Sequence, residues 1–224
     1  MAKFNGYSIL LALALLTATG CTNEGMSDYT YYESAWCVVQ GRGSQISLLT
    51  DNKDILKPSE SLDSMKYKPG DRYRILYITL ANQAYYSVAS NAKLVKIAGE
   101  PQPVLVEDVF QQGLFTGVVN DPVWLNTDPF FGGGFLNFDF QFRTSHLGVK
   151  HAIHLIQDSL VNRKLYLRFG HHANGDVSGS MESALASYPT TGLKQVSEAD
   201  SLIILIKGDL RFQTYRMALK DTLQ

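Results

Sequence analysis

"GGGFLNFDFQF" (Gly132–Phe142) is the stretch on which the fold class turns. From Leu136 its residues alternate: Leu136, Phe138, Phe140 and Phe142 share one face of an extended chain, and Asn137, Asp139 and Gln141 share the other. That period of two predicts a strand whose four large side chains bury against a second sheet, each contributing roughly 1.5–3 kcal/mol. The three glycines ahead of it could instead cradle a phosphate. Such a loop needs glycines that open a helix with a lysine after them, or the spaced dinucleotide fingerprint between strand and helix. Gly132-Gly133-Gly134 feeds a strand and no lysine follows, so the run reads as a turn that lets Phe130 and Phe131 fold over the core.

The same reading extends in both directions. "AWCVVQ" and "ISLLT" are strands, and Asp51-Asn52-Lys53 is a turn whose Asx side chains can bond the backbone. "YKPGDRYRILYITL" (Tyr67–Leu80) turns at Pro69-Gly70-Asp71, then places Tyr73, Ile75, Tyr77 and Thr79 on one face and Arg72, Arg74, Leu76, Ile78 and Leu80 on the other. Downstream, "VKHAIHLIQ", "RKLYLRFG" and a final hairpin around Gly208-Asp209 are strands, while "MESALASY" (Met181–Tyr188) reads as one or two helical turns. The 12 Tyr and 11 Phe suit sheets better than helices, so the chain is expected to be all-β. Two prolines and a glycine in "GEPQPVLVED" mark residues 99–109 as a linker between one unit over 34–98 and another over 110–224.

The N-terminus carries an address. Lys3 precedes an unbroken apolar run, Ile9–Leu16, that ends in Ala18-Thr19-Gly20 before Cys21. The run falls far short of the roughly 20 residues that span a bilayer, so residues 1–20 read as a secretory signal. A cysteine directly after small residues resembles a bacterial lipobox, in which acylated Cys21 becomes the mature N-terminus and fatty chains such as palmitate anchor the protein. Residues 21–33 then form a polar, tyrosine-bearing tether. Removing Met1–Gly20 removes one cation, Lys3, and shifts the formal charge from −1 to −2, which implies no nucleic-acid partner. Thr22 supplies no aspartate-type retention signal and only Glu24 and Asp28 follow nearby, which favours the outer membrane and its periplasmic face. With Cys21 acylated, Cys37 has no disulfide partner and reads as a small buried hydrophobe.

No constellation commits the chain to chemistry. All five histidines, His146, His151, His154, His171 and His172, lie within 27 residues, which invites a metal. Yet His151 and His154 are three apart on a strand and face opposite sides, and no cysteine or carboxylate joins them at ligand spacing, so no metal or other cofactor is expected. Asp176, Ser178 and Ser180 sit beside His171 and His172, but the G-x-S-x-G elbow is absent. Glu107, Asp108, Asp121, Asp128 and Glu182 offer carboxylates for glycoside chemistry with no reason to prefer a pair. No catalytic residues are assigned and the protein is expected not to be an enzyme. Exposed rings could bind a ligand, and Trp124, Phe130, Phe131, Tyr85 and Tyr86 are the candidates, each competing with a place in the core.

"WCVV", "ISLLTDNKDILKPSE" and "YKPGDRYRILYITL", followed by "DPVWL", "FLNFDFQF", "KHAIHL", "LYLRFGHHANGDV" and "SLIILIKGD", resemble the NigD-like lipoprotein family of Gram-negative gut bacteria. The resemblance covers Ser34 to the end and implies an N-terminal OB-like small barrel followed by a C-terminal β-sandwich. Where the family has a single His-Asn before Gly-Asp, this chain has His171-His172-Ala173-Asn174. No catalytic residues come with the family; its name derives from an operon associated with bacteriocin immunity. The resulting expectation is a non-enzymatic envelope lipoprotein whose loops contact a protein or peptide ligand. A carbohydrate-binding lipoprotein is the alternative, and a hydrolase using residues 171–180 a third.

Overall fold

The computed structural model describes residues 31–80, 92–111, 120–145 and 148–219. Cys21 and the whole of the expected signal, most of the tether, and Tyr85, Tyr86 and His146 lie outside the described residues. Tyr32–Gln224 is one compact unit, and it contains both a barrel and a sandwich.

The first five strands close on themselves. β1 (Glu33–Gln40), β2 (Ser47–Thr50), β3 (Ile55–Pro58), β4 (Arg72–Thr79) and β5 (Ala92–Pro103) pair in the order β1-β2-β3-β5-β4 and back to β1, with β3 and β5 parallel. This is the five-stranded barrel expected of an OB-like domain. The alternation read from β4 holds: Tyr73, Ile75 and Tyr77 fill the barrel with Cys37, Val39, Leu48, Leu56 and Val95. Entry into β4 depends on a turn from Lys68 to Asp71, where Asp71 N–H donates to the Lys68 carbonyl at 3.0 Å. Pro69 and Gly70 occupy its centre and Gly70 has φ +93°, the left-handed geometry that a type II turn requires at that position. Burial pushes the Cys37 thiol up to about 12, so it is a packing group and not a thiolate.

Two sheets follow. The first is ordered β6 (Leu105–Val106), β13 (Ser180–Pro189), β10 (Phe135–Thr144), β8 (Trp124–Leu125), with β9 (Phe130–Gly132) also paired to β10. The second is ordered β15 (Phe212–Ala218), β14 (Ser201–Lys207), β12 (Lys164–His172), β11 (Ala152–Val161), β7 (Val109–Gln111). Leu136, Phe138, Phe140 and Phe142 point from β10 into the sandwich and meet Leu165, Leu167 and Phe169 of β12. Phe138 stacks on Phe169 with centroids 4.3 Å apart and meets Tyr188 edge-on at 5.8 Å.

The glycine run makes the β9–β10 hairpin. Phe135 pairs with Gly132, leaving Gly133 and Gly134 as the two-residue loop, with φ +59° and +83°. Positive φ at both positions is the type I′ turn, whose twist matches that of the strands it joins. Gly132 and Gly133 also press on the barrel: a Cβ on either would fall 2.4 or 2.3 Å from the Asp51 carboxylate.

Two expectations are corrected. Met181–Tyr188 is not helical; it lies in β13, which pairs with β10 over ten residues from Phe135↔Pro189 to Thr144↔Ser180. Leu185, Ala186, Ser187 and Tyr188 are all buried, so no period of two marks the strand. Residues 99–109 are not a free linker either. β5 continues to Pro103 opposite Tyr73, with a bulge around Gly99 (φ +71°), and β6 and β7 then join one sheet each. Gly99, Pro101 and Pro103 thus shape an edge that bends from the barrel into the sandwich.

The outer face of β4 meets the first sheet at its N-terminal end, through Arg72 and Arg74, while Leu76 further along is exposed. Arg72 donates from Nε to Ser187 Oγ (2.9 Å) and from Nη2 to Asp51 Oδ2 (2.7 Å) and Asn137 Oδ1 (3.0 Å). Ser187 in turn donates to Asn137 Oδ1 at 2.6 Å. Arg72 Nη1 is buried without a hydrogen-bond partner, but the guanidinium lies 4.4 Å from the Phe135 ring centroid, which gives its charge an aromatic face. Arg74 pairs with Asp139, and Asn126 Nδ2 donates to the same carboxylate at 2.8 Å.

Candidate functional site

At one end of the sandwich the two sheets are bridged by the segment that leads into β8. Asp121 N–H donates to the His171 carbonyl of β12 (3.0 Å), Val123 N–H to Lys207 of β14 (2.9 Å), and Trp124 pairs with Gln141 of β10. A cavity of about 350 Å³ opens beside this bridge, walled by Trp124, Arg143, Asp121, Asp209, Val177 and His171. Arg143 lies over the indole at 5.7 Å from its centroid and its Nη1 donates to the Gly179 carbonyl at 3.4 Å. One oxygen of Asp121 accepts the Ala173 N–H at 2.7 Å.

Behind the cavity lies a buried chain of polar groups. His171 is 2% exposed; its Nδ1 donates to the Pro122 carbonyl at 3.3 Å and its Nε2 meets His151 Nδ1 at 2.8 Å. His151 Nε2 faces Asp176 Oδ2 at 3.3 Å, and Asp176 also accepts from Thr144 Oγ1 (2.8 Å) and the Ser145 N–H (2.9 Å). Burial, then the neighbouring His151, lower the His171 pKa from 6.5 to about 4, against the opposing pull of the Pro122 carbonyl. Hydrogen bonds from Ser145, Thr144 and His151 hold the Asp176 carboxyl well below the usual carboxylate range.

This arrangement makes stability depend on pH. A histidine whose folded pKa lies below its ordinary 6.5 stabilises fully above that pH, and the contribution drains away as pH falls toward about 4, because the unfolded chain takes the proton first. The amount at stake is about 3 kcal/mol. Urea unfolding between pH 7.5 and 4.5 is expected to show this slope, and His171→Asn to flatten it; an unchanged slope in the variant would contradict the assignment.

The sequence-predicted residues separate in the structure. Trp124 lines the cavity. Phe131 packs on the sandwich core and borders a different groove, of about 540 Å³, between the Leu49–Lys53 turn and the glycine hairpin. Phe130 meets Trp36 edge-on at 5.5 Å, part of the barrel–sandwich contact and not a free platform. Tyr85, Tyr86 and Cys21 lie outside the described residues. Both ring nitrogens of His171 are taken, so neither is left to activate Ser178 or Ser180. His154 is not on the His171 side: it packs against Phe110 and sits 3.5 Å from Glu107. Among the described residues no three His, Cys, Asp or Glu are grouped to hold a metal ion. Arg143 and Asp209 escaped the sequence reading, because one looks like an ordinary strand residue and the other like half of a Gly-Asp turn.

Residues 109–217 match the family model of the NigD-like C-terminal beta sandwich domain. Among solved structures, a protein of unknown function from Bacteroides vulgatus is similar at a TM-score of 0.69 and 18% identity, covering 86% of this chain and 93% of that one. A candidate lipoprotein of Bacteroides fragilis is similar at 0.64 and 10% identity, over 87% of this chain and 100% of its own. A NigD-like immunity protein of Bacteroides caccae is similar at 0.58 and 19% identity, over 85% and 94%. At these identities the likeness is one of fold. No curated protein matches the sequence.

Proposed function

Through residues 109–217 the chain belongs to the NigD-like family, and on that premise we propose that it is a non-enzymatic, lipid-anchored binding module of the bacterial cell envelope. The observation that carries the reading is Cys21 placed directly after a short apolar run and three small residues. Acyl chains contribute roughly 0.8 kcal/mol per buried methylene, so several chains on one cysteine hold the protein at a membrane. The similarity in fold to a candidate lipoprotein is in keeping with this. The outer membrane is the destination that Thr22 favours.

Its work there is to contact a protein or peptide ligand, and protection against a bacteriocin is one form of it, in line with the fold of an immunity protein. A binding role is supported by how the polar side chains are used. Arg72, Asn137, Asp139 and Ser187 join barrel to sandwich, and His171 and Asp176 are saturated by neighbours.

Mass spectrometry of the N-terminal peptide from cell membranes tests the anchor. Cys21 is expected as the first residue carrying acyl mass, and Cys21→Ser is expected to abolish that mass. A mature chain recovered without lipid from the soluble fraction would refute the anchor.

A further inference from the structure

We propose that the cavity beside Trp124 is a binding site for a neutral carbohydrate, a property that does not depend on the anchor or on a peptide ligand. Its volume of about 350 Å³ falls at the small end of the ligand-site range of ~300–1,000 Å³ and suits one or two sugar rings. Trp124, Arg143 and His171 stand on paired strands, and the segment 121–125 is bonded to β10, β12 and β14 at once, while Val177 and Asp209 complete the lining from loops. The strand-borne part of the site is therefore formed before any ligand arrives.

The charges select the ligand class. Asp121 and Asp209 put two carboxylates on the rim, which repel an anion. Arg143 places a guanidinium over the indole, which repels a cation from the aromatic face where it would bind best. His171 lines the wall without a charge at neutral pH, since burial and the neighbouring His151 lower its pKa to about 4. A sugar hydroxyl both donates and accepts, so a neutral polyol is matched by carboxylate acceptors and guanidinium donors on one rim. Its C–H face has Trp124 and the half-exposed Val177 to lie against. Asp121 keeps Oδ1 for the ligand while Oδ2 holds Ala173 N–H, and Asp209 stands exposed on its turn.

Labelled full-length mature protein on an array of neutral and acidic glycans tests this. Retention on neutral glycans is expected, with a loss of affinity of ~10-fold or more in Trp124→Ala and in Asp209→Asn, as lost stacking or a lost charge-assisted hydrogen bond would give. Asp209 is exposed, so Asp209→Asn keeps the fold even if Trp124→Ala does not. Retention of no neutral glycan, retention of acidic glycans alone, or equal retention by wild type and Asp209→Asn overturns the proposal. None of these results bears on acylation of Cys21.

Discussion

Arg72→Ala is expected to cost about 3–5 kcal/mol of unfolding free energy, the loss seen when one member of a buried ion pair is removed. The guanidinium is wholly buried and Asp51, its partner at 2.7 Å, has a side chain only 13% exposed. Alanine would strand that carboxylate, leave Asn137 and Ser187 short of a donor, and open a hole beneath Phe135. Arg72 and Asp51 belong to the barrel, Asn137 and Ser187 to the sandwich, so the damage falls on the joint. Guanidinium denaturation followed by fluorescence of Trp36 near the joint should show the loss. In an Asp51→Ala background the same substitution should cost less, because the stranded charge is gone. A loss below about 1 kcal/mol would mean that the network is neutral to stability, as exposed pairs are.

Phe138→Ala carries the other large effect, about 3–5 kcal/mol, from lost burial and the cavity left behind. Phe138 is fully buried between Phe169 and Tyr188, aromatic neighbours from the opposite sheet and the adjacent strand. For a chain of this length that corresponds to a melting temperature lower by roughly 10 °C. Gln141, three residues along the same strand on its other face, makes one long bond to Ser183, and Gln141→Ala should change stability by no more than about 0.5 kcal/mol. Equal effects from the two substitutions would contradict the orientation of β10.

The candidate site was legible only where a single residue announces itself. Trp124 is conspicuous in any sequence, and in the structure it lines the cavity. Phe130 and Phe131 were conspicuous for the same reason, yet one packs on Trp36 and the other on the core. Aromatic chemistry is identical in the three cases; what differs is the neighbour, and neighbours from 94 positions away, as Trp36 is to Phe130, leave no local trace. Arg143 and Asp209 join Trp124 only because β10 and the β14–β15 turn reach the same end of the sandwich.

Local pattern determined the β4 and β10 alternations and the turns at Asp51-Asn52-Lys53, Pro69-Gly70-Asp71 and the glycine run, because each depends on backbone geometry and on a side-chain period of two within a few residues. It also determined which face of β10 is apolar. Tertiary structure alone decided what the polar face does. Asn137 and Asp139 look like solvent residues in sequence, but the barrel covers that face and supplies Arg72 and Arg74 to meet them. The same covering buries Leu185–Tyr188 on both sides and erases the alternation that would have marked β13 as a strand. A period records one buried face; when packing between layers buries both, the pattern vanishes and only the contact across the layers reveals the strand.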